Sequence, residues 1–192
     1  MRSAAALVLA VFALSAIAQQ PTTRPKKVLT PEQQEYQAKL HEVWAQRDAL
    51  RAKAKAAYDD EMAREKAGDC PNAVTTYDAN MCYGKASDQT DKNLKTLEDA
   101  LRAMLGLQEP AMPGVAPTAA VNSRVLTPGQ KVAEFDQIET QWSAYTGTAC
   151  SAVYHWFEGG TGGPAAQMEC HLRLVRNHFR ELDSIYEVTH PL

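Results

Sequence analysis

Residues 125–159 read VLTPGQKVAEFDQIETQWSAYTGTACSAVYHWFEG. Within this stretch Val132, Phe135, Ile138, Trp142, Tyr145, Ala149, Val153 and Trp156 recur at steps of three and four, the period of a helix with one apolar face. Thr127-Pro128-Gly129-Gln130 supplies its start. The threonine hydroxyl can cap, the proline stands where its missing N–H costs nothing, and the glutamine lies three residues after the cap to return the bond. Gly159 supplies a stop. A helix striped in this way needs apolar partners, and the rest of the chain offers three of the same kind.

Upstream, Val28-Leu29-Thr30-Pro31-x-Gln33 repeats the pattern of Val125 to Gln130. The sequences diverge at once afterwards, so this is one way of starting a helix used twice rather than a duplicated domain. From Thr30 to Ala67 no glycine occurs and no proline after Pro31, and Gly68 ends the run. A single helix of that extent would be on the order of 55 Å long at about 1.5 Å per residue. Its larger apolar residues, Tyr36, Leu40, Val43, Trp44, Leu50, Tyr58 and Met62, form a thin stripe interrupted by Arg47 and several alanines. Such a helix needs a neighbour, either the rest of the chain or a second copy in a homo-oligomer. Thr75-x-x-Asp78 opens a further helix to about Leu105, with Met81, Leu94, Leu97, Leu101 and Met104 on one face. The last begins after Pro164 and carries Leu172, Val175, Phe179, Leu182 and Tyr186. No segment alternates as a strand would, so the class is all-α: a disulfide-stabilised bundle of about three helices preceded by one long helix.

The N-terminus reads as an export signal over 1–18, with Arg2, an apolar run from Ala4 to Ile17 and a small-residue cleavage site placing the cut between Ala18 and Gln19. The apolar run is shorter than the roughly 20 residues that span a bilayer, and no cysteine follows the cleavage site to carry a lipid. Residues 19–29, with Pro21, Pro25 and a basic cluster, read as a flexible leader, 30–67 as the long helix and 68–192 as the cysteine domain. No membrane span is expected once the signal is removed, and the location implied is periplasmic or secreted, in a bacterium.

Outside the cytoplasm four cysteines form disulfides, because no thiol buffer keeps them reduced. Zinc competes poorly, since eleven residues separate Cys70 from Cys82 and nineteen separate Cys150 from Cys170, against spacings of roughly two to four in structural zinc sites. If successive helices run antiparallel, the cysteines gather at one pole. Three pairings are open, and the short local connections favour Cys70–Cys82 with Cys150–Cys170.

Beyond Gly68 nine Lys and Arg face fifteen Asp and Glu, a net of −6, while Gln19 to Ala67 carries ten against eight, a net of +2. An acidic domain argues against nucleic acid and is compatible with a cationic protein partner. Cys70-x11-Cys82, the Ala86–Leu97 helix with Asp91-x-x-Leu94, Trp142-x-x-Tyr145-x4-Cys150, the double-glycine turn, Cys170 and Leu182 together resemble the lysozyme inhibitor LprI-like domain. The resemblance covers about Cys70 to Ile185. It implies a small secreted or lipid-anchored bacterial helical domain with paired cysteines, and a protein partner that is a cationic lysozyme. The chain departs from the family's pattern at polar places. An Asn and a Tyr are replaced by Lys95 and Glu98, a Gln before the tryptophan by Glu139, an Arg-Asp pair by Thr146-Gly147, and an Arg in the last helix by His178.

The residues offer no catalytic set, so no enzyme is expected. Ser151 and Ser184 have no base at a useful spacing, and scattered surface carboxylates do not make a glycosidase pair. The glycine-rich turn lacks the Lys and Ser/Thr of a phosphate loop, and no cofactor is implied. His171 and His178 share a helix face, but without further ligands they read as hydrogen-bonded or exposed histidines and no metal is expected. Trp142 and Trp156 lie fourteen apart and read as core. The candidates for partner binding are Glu134, Asp136 and Glu139, which with Asp88, Asp91, Glu98 and Asp99 could form an acidic surface. The turn Gly159, Gly160, Thr161, Gly162 and Gly163, or the loop from Gln108 to Leu126, could plug a cleft. A solvated helix face and a tight connection account for the same residues without a partner.

Overall fold

The computed structural model describes residues 29–115, 125–158 and 160–190. The signal with its cleavage site at Ala18 and Gln19, the leader up to residue 28, residues 116–124 of the long connection, and Gly159 lie outside the described residues. Four helices follow in order: α1 (Pro31–Ala67), α2 (Thr76–Leu105), α3 (Pro128–Trp156) and α4 (Gly163–Tyr186). Among the described residues there is no strand, and no helix is long and apolar enough to cross a membrane.

Local chemistry sets the helix starts. Thr30, Thr75 and Thr127 each accept a hydrogen bond from the backbone N–H three residues on, while Gln33, Asp78 and Gln130 return one to the cap's own N–H. Gly68 closes α1 with φ +80°, a conformation that suits glycine, and its N–H reaches the carbonyls of Arg64 and Glu65. α3 stops at Trp156, earlier than Gly159, and α4 begins at Gly163, one residue before Pro164.

The helices run up, down, up and down. Arg102 late in α2 meets Asp136 early in α3, while Ser87 early in α2 shares a crevice with Cys150 late in α3. α2 and α4 form the middle pair, with α1 mainly against α2 and α3 mainly against α4. The core joins Leu94, Leu97 and Leu101 of α2, Val175, Phe179 and Leu182 of α4, and Phe135 of α3. Each such side chain contributes on the order of 1.5–3 kcal/mol when fully buried. After α4 the backbone turns at Glu187 and Thr189 caps back onto Asp183, which carries Val188 into the core.

Disulfides pair Cys70 with Cys82 and Cys150 with Cys170, and no described cysteine is free. Both lie at one pole, where a Cβ on Gly84 of α2 would sit 3.7 Å from Met168 of α4. Each closes a loop of ten to twenty residues, which by chain entropy is worth about 3 kcal/mol.

The long helix seats itself along its apolar stripe: Tyr36, Leu40, Val43, Leu50, Tyr58 and Met62 are half-buried, and Tyr58 and Met62 pack against the core. Its buried residues are Ala54, Ala57 and Glu61, while Trp44 is exposed and no residue between 31 and 53 is buried. Ala54 and Ala57, which interrupt the stripe, are buried beside Tyr58 and Met62, and their small side chains let two backbones approach. Glu61 is 0% exposed and accepts bonds from Thr90 (2.8 Å) and Asn93 (2.9 Å) of α2, Arg64 (2.6 Å) and Arg176 of α4 (2.8 Å). Arg176 also forks onto Asp69 through two bonds of 2.6 Å. One carboxylate and one guanidinium thus tie α1, α2, α4 and the segment after α1.

Two apolar assignments need correcting. α3 buries only Phe135, Glu139, Thr146 and Cys150, leaving Ile138, Tyr145 and Trp156 exposed, so Trp156 is not core; its stripe reaches past the single neighbour it has along most of its length. Met81 of α2 is exposed for a related reason, since the first turns of α2 extend beyond the packed middle.

Truncating Arg176 strands Glu61 and Asp69 without their counter-charge. Arg176→Ala should cost about 3–5 kcal/mol, read as a lowered urea midpoint. Arg180→Ala, which breaks the more exposed pair with Glu65 and an exposed bond to Asn177, should cost less than about 1 kcal/mol.

Candidate functional site

Two places on the bundle carry chemistry beyond packing. The first is the disulfide pole, formed by the start of α2, the end of α3 and the turn into α4. Val74 and Tyr77 at the start of α2 are 90% and 72% exposed, and Trp156 at the end of α3 is 85% exposed. Phe157 follows in the turn and is itself exposed. The two disulfides brace the surrounding backbone, so these side chains stand on a stiff support. The turn is held tightly rather than projecting. Gly160 donates to the carbonyl of Phe157 at 2.8 Å, and Gly163 donates to that of Gly160 at 3.0 Å. Gly163 is buried against Tyr154, where an added Cβ would meet the ring at 3.2 Å, so a larger residue there would force the ring to shift. Gly160 and Thr161 are exposed and Gly162 is half-buried; Gly159 is among the residues not described.

The second place is a groove between α2 and α3, reached by α4 through His171. It gathers Asp91, Glu98, Asp99, Asp136 and Glu139, which the sequence reading put on an acidic surface. The surface is not uniformly acidic. Asp136 takes a 2.7 Å bond from Arg102, Asp99 pairs with Lys95, and Asp91 lies 2.7 Å from His171. Glu134 is exposed beside this groove on α3 and Asp88 is exposed on α2. Glu139 lies at the floor of the groove rather than on an open surface: it is 8% exposed and is bonded to His178 of α4.

There Glu139 meets His178, whose Nε2 is 2.9 Å from its Oε2, while Glu181 stands 3.1 Å from Nδ1 on the other side of the ring. Trp142 stacks on the imidazole with centroids 4.1 Å apart and planes 11° from parallel. Glu98 of α2 completes the group, and one atom from each of Glu98, Glu139 and His178 lies within 4.8 Å of the others. Burial, then the charge of Glu139 and a bond to it, push the Glu98 carboxyl up to about 7. Burial by itself would lower the His178 imidazole, but its bonds to Glu139 and Glu181 and their charges outweigh that and leave it raised.

Residues 67–182 match the family described as Lysozyme inhibitor LprI. The chain belongs to this family. No curated protein and no solved structure matches it. The LprI domain so delimited takes in α2, α3, most of α4 and both disulfides, whereas α1 enters it only at its last residue. The two disulfides fit an oxidising compartment outside the cytoplasm. Glu98, Glu139 and His178 are neighbours in the bundle although they come from three helices. Sequence reasoning named Glu139 as surface and Glu98 as its companion, and set His178 aside. The missed signal is their helical register: only packing brings residues 41 and 39 apart in sequence to one spot.

The raised groups make stability depend on pH with a definite sign. Glu98 holds its proton to about 7 when folded against an ordinary value of 4.5, so its favourable contribution is full below 4.5 and is lost as pH rises through about 7. His178, also raised, loses its contribution as pH rises above the ordinary histidine range. In chelator-containing buffer the urea midpoint should therefore fall between pH 5 and 8, against the opposing carboxylate pairs elsewhere, and Glu98→Gln should flatten that fall.

Proposed function

We propose that this protein binds and inhibits a lysozyme outside the cytoplasm, using the disulfide pole as the contact. The observation that carries the reading is the exposed apolar set Val74, Tyr77, Trp156 and Phe157 on a cross-linked end of an LprI domain. Large aromatic side chains on a rigid support bind at low entropic cost, and Trp and Tyr are the residues that most often anchor protein interfaces. An inhibitor of a cell-wall hydrolase acts by filling the substrate cleft, and exposed Trp156 with Phe157 beside it offers the apolar surface for that contact. Lysozymes are commonly cationic, and the net −6 of the region beyond Gly68 steers such a partner, raising the association rate more than the final affinity. Binding rather than catalysis follows from the same surface.

Purified oxidised protein added to a panel of lysozymes in a cell-wall lysis assay should slow at least one of them. Trp156→Ser should weaken that inhibition tenfold or more without lowering the thermal midpoint, and raised salt should slow association. Equal lysis rates with and without the protein, across the panel, would remove the proposal.

A second reading rests on α1, whose residues 31–53 contain no buried side chain although Trp44, Leu40 and Val43 are apolar. This half of the helix would serve as an adaptor, docking on an envelope protein or on a second copy. Removing residues 29–47 should abolish any dimer seen in light scattering and leave lysozyme inhibition unchanged; a monomeric full-length protein at high concentration contradicts the homo-oligomer.

A further inference from the structure

The group formed by Glu98, Glu139 and His178 has the parts of a metal centre. We propose that it binds one divalent transition-metal ion, of the class of Zn2+, through His178 Nε2 and the carboxylates of Glu98 and Glu139.

Four observations lead to this assignment. One ligand atom from each residue lies within 4.8 Å of the others. Around an ion held at about 2.0–2.2 Å from each donor, neighbouring donors stand a little over 3 Å apart, so only a short side-chain movement is required, and half-buried Glu98 is free to make it. Glu139 is 8% exposed and its buried Oε1 has no hydrogen-bond partner, while Glu98 offers an oxygen within 4.8 Å of a Glu139 ligand atom. Two carboxylates directed at one another need a proton or a cation between them. The third observation is the seat of the histidine. Glu181 on Nδ1 and Trp142 stacked on the ring hold Nε2 toward the carboxylates. A carboxylate on the far nitrogen is the usual outer partner of a metal-bound imidazole. Finally, Glu98 and Glu139 line the groove between α2 and α3, which provides a path for an ion.

The donor set narrows the ion. One imidazole nitrogen with two carboxylates suits Zn2+ or a similar first-row ion better than Mg2+ or Ca2+, which favour oxygen alone. The ligands come from α2, α3 and α4, so the ion would also pin these three helices.

Calorimetric titration of ZnCl2 into chelator-stripped, oxidised full-length protein tests the assignment, with the thermal midpoint as an independent reading. One Zn2+ per chain and a raised midpoint are expected. His178→Gln and Glu98→Gln should each weaken binding at least tenfold, and Glu181→Gln about tenfold through loss of orientation. Glu134→Gln, on the exposed face of α3, should leave it unchanged. Should His178→Gln fail to fold, Glu98→Gln decides, since that side chain is only partly buried. No saturable binding would mean that a proton alone fills the gap and would overturn the proposal, as would a Zn2+ site that persists unchanged in Glu98→Gln.

Discussion

The bundle depends on one arginine. Arg176, almost fully buried in α4, holds Glu61 of α1 through one bond and Asp69 beyond the end of α1 through two. Glu61 is reached in turn by Thr90 and Asn93 of α2. Burying a carboxylate is costly in itself, and it is tolerable here because every oxygen is served and the opposing charge is fixed beside it. The arrangement gives the interface between α1 and the cysteine domain a unique register. An alanine contact alone would allow sliding, since Ala54 and Ala57 have little shape to lock. Ion pairs outside this centre, such as Lys39 with Glu35 near the start of α1, are exposed and have far less to hold together.

From that anchor the molecule divides along its length. The end bearing both disulfides has little apolar core and displays Val74, Tyr77 and Trp156 to solvent, so covalent cross-links do there what burial does elsewhere. The other end is packed around Phe135, Phe179 and Leu101 and sealed by Val188. Between them lies the cluster of Glu98, Glu139 and His178, where polar groups take positions that a helix core would normally fill with hydrocarbon. The two places differ in kind: the pole is cross-linked and exposes aromatic side chains, whereas the cluster beside the groove is polar and largely buried.

Much of this was legible in the chain. The helix starts at Thr30, Thr75 and Thr127 follow from side chains that bond their own first turn, a local event that needs no tertiary context. Of three open disulfide pairings, the short connections favoured Cys70 with Cys82 and Cys150 with Cys170, the pairing the structure has. The faces of α2 and α4 were also readable, because Leu97, Leu101, Val175 and Phe179 are buried from more than one side. The stripe of α3 misled, because Trp156 and Tyr145 keep the helical period where no neighbour covers them. The acidic surface misled in part, because Asp136 and Glu139 lie three apart on one helix but one finds Arg102 at the rim and the other turns in to His178.

The sequence by itself determined the four helices and the three threonine-capped starts, and it favoured one of three cysteine pairings, since each depends on groups close along the chain or on periodicity within one element. The tertiary structure decided which polar residues would be buried. Glu61 and Arg176 stand 115 positions apart, and Glu98, Glu139 and His178 sit on three different helices. Whether a carboxylate meets water, an arginine or an imidazole depends on the rotation and offset of packed helices. Those quantities are set by the fit of every side chain at the interface at once and are carried by no local pattern.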